Sequence, residues 1–425
     1  MKRVLRGFLP VLILLLSSSG FLLRGDSGKA NPFPDHILLT WTGDPATTMT
    51  VSWRSEVSSK SGQVRYGVRG GKDQQRRVKA SSTLFATDLG SYRIHTAYLK
   101  GLSPATTYTY TVGDEGLNRS GERSFTTADP KTENFKFLVF GDSQSSLKAE
   151  SPYSLWAQNL HNAFRLNGDA KFIVMTGDLV DEGQRGAHWE AWFAACQGVM
   201  DQIPLFSSPG NHESHGSSGT RRPAYWNAQL RFPRNGPDRL KNQVYSFRYG
   251  KVLFLALDSQ QKEQRPYGDI LGPQKEWLQE RLSTSRDLWK IAYFHKPFSP
   301  LVKGRTYDDV KEAFLPLFDR YHVDLVFNGH DHGLARTAPM REGKVVQGPS
   351  QGTVYYVVGR SGDKFYSDLL PPPEYLFFDP VKEQPNYLVV EVRGKSLTVS
   401  AHRSDGTLLD RFSFDKTEEK PTARE

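Results

Sequence analysis

A chain of 425 residues, 37% hydrophobic and 12% aromatic, can bury large cores, which excludes a disordered chain and favours two or three domains over one. The formal charge of +9 falls to about +5 without residues 1–30, where Lys2, Arg3, Arg6, Arg24 and Lys29 stand against Asp26. So mild a surplus suits anionic small molecules and, with no clustered basic stripe, excludes nucleic-acid wrapping; a single cysteine, Cys196, excludes an internal disulfide.

Basic residues, the apolar run Leu9 to Leu16 and then Ser17, Ser18, Ser19 and Gly20 predict a signal peptide over 1–30. The run is shorter than a bilayer span, so no stable membrane insertion is expected beyond the leader. The "FLLRG" that follows leaves an uncleaved N-terminal anchor open. The expected location is secreted or periplasmic.

From 31 to 128 short alternating segments such as "HILLTW", "MTVSWR", "QVRYGV", "YRIHTAYL" and "TYTYTV" predict an antiparallel sandwich of roughly seven strands. In "LSPATTYTYTV", Leu102, Pro104, Thr106, Tyr108 and Val112 match the tyrosine corner of fibronectin type III domains. "ADPKTEN" reads as a linker. Over 135–415 apolar strands alternate with helical segments, which implies βαβ units and a largely parallel sheet flanked by helices. "HWEAWFAACQGVM" reads as one such helix, with Cys196 a buried, inert thiol. The final segments "YYVV", "YLVVEV", "SLTVSA" and "LLDRFSF" predict added antiparallel strands, and 416–425 reads as a disordered tail.

In α/β folds ligands gather beyond the carboxyl ends of the strands. There this chain sets Gly141 and Asp142, Gly177 and Asp178, "GNHE" from Gly210, His295, and "NGHDH" from Asn328. A single "GD" is a default turn. It recurs at Gly25, Gly43, Gly113, Gly168, Gly268 and Gly362. His188, His322 and His95 likewise read as structural. Five strand ends carrying oxygen or imidazole donors in one domain are not explained by turns. Carboxylate, amide and imidazole without thiolate suit zinc, manganese or iron. Asp142, Asp178, Asn211, His295, His330 and His332 are too many for one tetrahedral ion and suit two ions sharing a carboxylate.

These motifs resemble the calcineurin-like metallophosphoesterases and, with the sandwich in front, the purple acid phosphatases. The family blocks GDxG, GDxxY, GNH followed by Asp or Glu, VxxH and GHxH fall here on "GDSQ", "GDLVD", "GNHE", "AYFH" and "GHDH". The resemblance implies a fibronectin III-like sandwich followed by an αββα sandwich of mixed sheets flanked by helices. It implies that Asp142 and His332 hold one metal, that Asp178 bridges, and that Asn211, His295 and His330 hold the second, with His212 facing the substrate. Two departures stand out. The family tyrosine that binds ferric iron falls at Asp181, and the alternative histidine of the wider superfamily falls at Gln144. Gln144 and Asp181 are both candidates for the replacement donor to the first metal, with Gln144 slightly favoured. Without a phenolate, two divalent ions and a colourless protein are expected.

The activity implied is hydrolysis of small phosphate monoesters, with water activated between the ions and His212 as general acid. His215, Arg221, Arg222 and Lys303 are candidate phosphate contacts, and Asp258 reads as a turn or supporting residue. The same site would serve a phosphodiesterase or nucleotidase. A different class of reading is an exported binding or adhesion protein whose metal domain is degenerate.

Overall fold

The computed structural model describes residues 33–71, 75–116, 118–215 and 222–416. The expected leader, all but the first residue of the expected tail, and Arg221 lie outside them.

The first half holds eight described strands in two four-stranded antiparallel sheets. One runs Asp35–Thr40, Met49–Ser55, Gly90–Leu99, Ser81–Thr87; the other Arg76–Lys79, Gln63–Val68, Thr107–Gly113, Arg123–Thr126. Arg76–Lys79 and Ser81–Thr87 were not expected. Both lie at sheet edges and are largely exposed, so their polar sequences carry no apolar alternation to betray them. The tyrosine corner is present, with the Ser103 N–H donating to the Tyr108 hydroxyl at 2.8 Å.

The second half is two mixed sheets packed face to face. In one, Leu205–Ser207, Ile173–Met175 and Asn134–Phe140 run parallel, and Asn386–Arg393, Ser396–Arg403 and Leu408–Asp415 extend it antiparallel. In the other, Val252–Ala256, Trp289–Tyr293, Leu325–Asn328 and Val354–Val358 are parallel, with Tyr245–Tyr249, Leu334–Thr337 and Tyr375–Asp379 antiparallel. "YYVV" therefore does not join the C-terminal antiparallel strands. It completes the parallel run beside Leu325–Asn328, as its unbroken apolar character suits.

Helices cover the outer faces. Ser154–Leu166 buries Trp156, Asn159, Leu160 and Ala163, the one-sided spacing of a helix lying on a sheet. Asp308–Tyr321 buries Val310, Ala313, Phe314, Leu317 and Phe318, and carries Asp308 and Asp309 in its first turn and Arg320 in its last, as the helix dipole favours. Cys196 is fully buried with Trp156 Nε1 3.4 Å from its sulfur; burial pushes the thiol well up.

The sandwich and the α/β half share one continuous core. Trp41 is buried against Phe172, Phe206 and Tyr249 at ring separations of 5.9, 5.7 and 5.5 Å. His36 stacks on Phe193 at 4.2 Å, Arg54 reaches Glu190 at 3.0 Å, and the Tyr110 hydroxyl donates to the Asp201 carbonyl at 2.6 Å. Registers of Phe140 with Met175, Met175 with Ser207, and Tyr293 with Phe327 bring the strand ends out along one rim.

Candidate metal centre

Five loops leave that rim. Asp142, Asp178, His330 and His332 all take left-handed backbone, with φ of 48°, 52°, 75° and 54°. Four non-glycine residues in a sparsely populated region gather at one place, where the surrounding structure must hold them. The neighbouring glycines are needed for contact: a Cβ at Gly210 would overlap Asp178 Oδ1, and one at Gly329 would overlap Asp142 Oδ2.

Two groups of donors result, Asp178 with His295 and His330, and Asp142 with Asp178 and His332, their donor atoms within 4.8 Å of one another in each. Asp178 belongs to both. His295 Nε2 lies 3.0 Å from Asp178 Oδ2, 3.1 Å from Asn211 Oδ1 and 3.0 Å from His330 Nδ1. His295 Nδ1–H donates to the Thr176 carbonyl at 2.9 Å, which fixes the tautomer and turns the lone pair of Nε2 inward. His332 is set in the same way: Nδ1–H donates to the Lys364 carbonyl at 2.8 Å while Nε2 sits 3.4 Å from Asp142 Oδ1.

Lone pairs converging at about 3 Å repel unless a cation or a proton lies among them. Burial pushes the His295 imidazole down, but the Asp178 carboxylate outweighs it and holds the ring up at about 9. Burial likewise opposes charge at Asp178, where His295 wins and holds the carboxyl well below its usual range. Burial pushes Asp142 well up and His332 down to about 3. Once His295 gives up its extra proton, buried imidazole nitrogens facing carboxylates are the donor set that a divalent ion accepts.

Gln144 is fully buried and donates from Nε2 to Asp178 Oδ2 at 3.4 Å, while its Oε1 has no hydrogen-bond partner. Asp181 is turned elsewhere. Its carbonyl accepts from His212 Nδ1–H at 2.5 Å, and its carboxylate lies 3.4 Å from the same nitrogen and 4.0 Å from Lys364 Nζ.

His212 borders the cluster, its Nε2 3.9 Å from Asp178 Oδ2 and its ring 4.8 Å from that of His215. Arg222 is exposed and stacks over Tyr267 at 4.8 Å, and Lys303 is exposed. Asp258 is buried and accepts from Gln243, Gln264 and the Gln260 N–H at 2.8, 2.6 and 2.9 Å; burial pushes it up to about 6. His188, His95 and His322 have the structural partners Tyr153, Ser55 and Asp324.

Two residues were missed. Glu213, the last of "GNHE", is buried and accepts the N–H groups of Asp178, Leu179 and Gly210 at 2.9, 2.8 and 2.6 Å. It ties the second and third loops together. Lys364 places its Nζ 3.1 Å from His212 Nε2. It follows the "GD" at Gly362, which nothing in sequence separates from an ordinary turn.

Two family models match: the N-terminal domain of purple acid phosphatases over residues 34–127 and the calcineurin-like phosphoesterases over 135–334. The chain belongs to the purple acid phosphatase-like metallophosphoesterases. An uncharacterised protein of Mycobacterium tuberculosis is 24% identical over 87% of this chain and 78% of its own length. Probable purple acid phosphatase 20 of Arabidopsis thaliana is 27% identical over 84% of this chain and 82% of its own. The solved structure of a purple acid phosphatase from yellow lupin (Lupinus luteus) seeds shares the fold, with a TM-score of 0.76 at 19% identity, covering 91% of this chain and 75% of that one. The phosphoesterase match stops at 334, yet the first sheet of this metallophosphoesterase is completed by strands between 386 and 415.

Proposed function

We propose that this protein is an exported hydrolase of small phosphate monoesters that works with two divalent cations. The observation that carries the reading is the pair of donor groups sharing Asp178. Asp142 and His332 would hold one ion, with Gln144 Oε1 supplying the donor that the family tyrosine gives elsewhere. Asn211, His295 and His330 would hold the other, and Asp178 would bridge. Two such ions supply an activated water and polarise the phosphoryl oxygens.

The chain's own groups do the rest. The Thr176 and Lys364 carbonyls hold the His295 and His332 rings with Nε2 facing inward; His332 is already neutral, whereas His295, held up at about 9 by Asp178, must release its Nε2 proton to act as a ligand. Glu213 fixes the backbone of Asp178 and Gly210. His212 presents Nε2 beside Asp178, where it can reach the ester and, once that nitrogen carries a proton, deliver it to the leaving oxygen. A degenerate binding module would have little reason to keep buried lone pairs converging in this way.

Export rests on the leader composition alone; among the described residues no helix is long and apolar enough to cross a membrane. The function is tested with chromogenic monoester and bis-ester substrates before and after chelation. The monoester should be the better substrate, with its hydrolysis lost on chelation and restored by manganese or zinc. Preferential cleavage of the bis-ester would overturn the monoesterase assignment, and activity indifferent to chelation would overturn the metal mechanism.

A further inference from the structure

The segment Arg360–Lys364 is built into the centre rather than draped over it. The Asp142 carbonyl accepts the N–H groups of Ser361 and Gly362 at 3.2 and 3.0 Å, and the Asp363 carboxylate accepts from Ser145 Oγ at 2.9 Å. The Lys364 carbonyl accepts the hydrogen bond of His332 Nδ1–H. Buried Arg360 donates to the carbonyls of Val381, Gly362 and Lys382 at 2.8, 2.6 and 2.9 Å. With its backbone held by both metal-side loops, Lys364 projects its ammonium to the open side, against His212.

Two other basic groups among the described residues are already committed. Arg305 is paired with buried Asp331 at 2.6 Å, and Lys296 with Glu263 at 2.6 Å. Lys364 has weaker company. Its 3.1 Å partner is the His212 ring, whose Nδ1 proton goes to the Asp181 carbonyl, so Nε2 can only accept. The Asp181 carboxylate is 4.0 Å away, and the lysine side chain stays about one-third exposed. An ammonium resting on a neutral imidazole at the mouth of a site is available to a stronger acceptor, and a phosphoryl oxygen is one.

We propose that Lys364 is the phosphate anchor of this site: an incoming phosphoryl oxygen takes the lysine's hydrogen bond from His212 and frees Nε2 to face the ester. The assignment rests on the phosphoesterase reading and adds to it a specificity residue beside His212.

The test is calorimetric titration of the metal-loaded wild type, Lys364→Met and Lys364→Arg with inorganic phosphate, with metal content measured on each. Lys364→Met should keep its metal and bind phosphate roughly 10-fold to 100-fold more weakly, the range expected for a lost charge-assisted hydrogen bond. Lys364→Arg should recover most of the affinity. The proposal is overturned if Lys364→Met binds phosphate like the wild type, if it loses metal along with phosphate, or if the wild type takes no phosphate. Because the titration needs no turnover, a wild type that binds phosphate but cleaves no ester would instead refute the phosphatase reading.

Discussion

At the scale of single residues, the centre depends on side chains that never meet substrate. Burial, and then the charge of Asp178, raises the Glu213 carboxyl to about 7, yet it is the acceptor for four backbone N–H groups of the metal-side loops. Glu213→Gln puts an amide donor against those donors. It should weaken metal binding roughly 10-fold to 100-fold, as loss of a supporting hydrogen bond does elsewhere, while circular dichroism stays native. Unchanged affinity in a metal-buffered titration would show that the loops hold themselves. Gln144 is the better candidate donor of the two: its orphaned Oε1 is buried, whereas the Asp181 carbonyl is engaged by His212. Sequence alone left those two close to equal, because side-chain direction is decided by partners far along the chain.

At the scale of elements, the strand ends were legible because an apolar run followed by glycine and a donor is a local pattern. The exposed edge strands Arg76–Lys79 and Ser81–Thr87 were not, lacking any apolar period. "YYVV" was read as a strand but assigned to the wrong neighbours, since an apolar run does not reveal which sheet it enters. Lys364 was invisible for a related reason, its loop acquiring meaning only through Asp142 and His332. The strand Asp35–Thr40 meets the helix Gly186–Cys196 through His36, which stacks on Phe193 and bonds Gln229 at 2.9 Å. Burial, and after it the Arg54 charge, holds this imidazole down at about 3, against 6.5 ordinarily. Between those values the unfolded chain binds the extra proton. The stabilisation is therefore complete above about pH 6.5 and is lost as pH falls toward 3, at up to about 1.4 kcal/mol per pH unit for one proton. His36→Gln, with nothing to titrate, should lose stability less steeply over that window in urea melts; equal slopes would rule His36 out as a contributor.

At the scale of the whole molecule, the sandwich and the phosphoesterase half share a core, so they should unfold together. Trp41→Ala empties a site lined by Phe172, Phe206 and Tyr249 of the other half and should cost about 3–5 kcal/mol. It should shift a single calorimetric transition rather than split it; two separated transitions would show that the halves are independent. Through that core the strands of the all-β module buttress the helix Gly186–Cys196 and the loop around Met200 and Asp201.

The account turns on one carboxylate serving two cations. Elemental analysis of the protein loaded with manganese or zinc, beside Asp178→Ala loaded identically, tests it most directly. Two ions per wild-type chain, and loss of both on removing Asp178 with the fold intact, is the predicted result. A wild type that holds one ion or none, or an Asp178→Ala variant that still holds two, would contradict it.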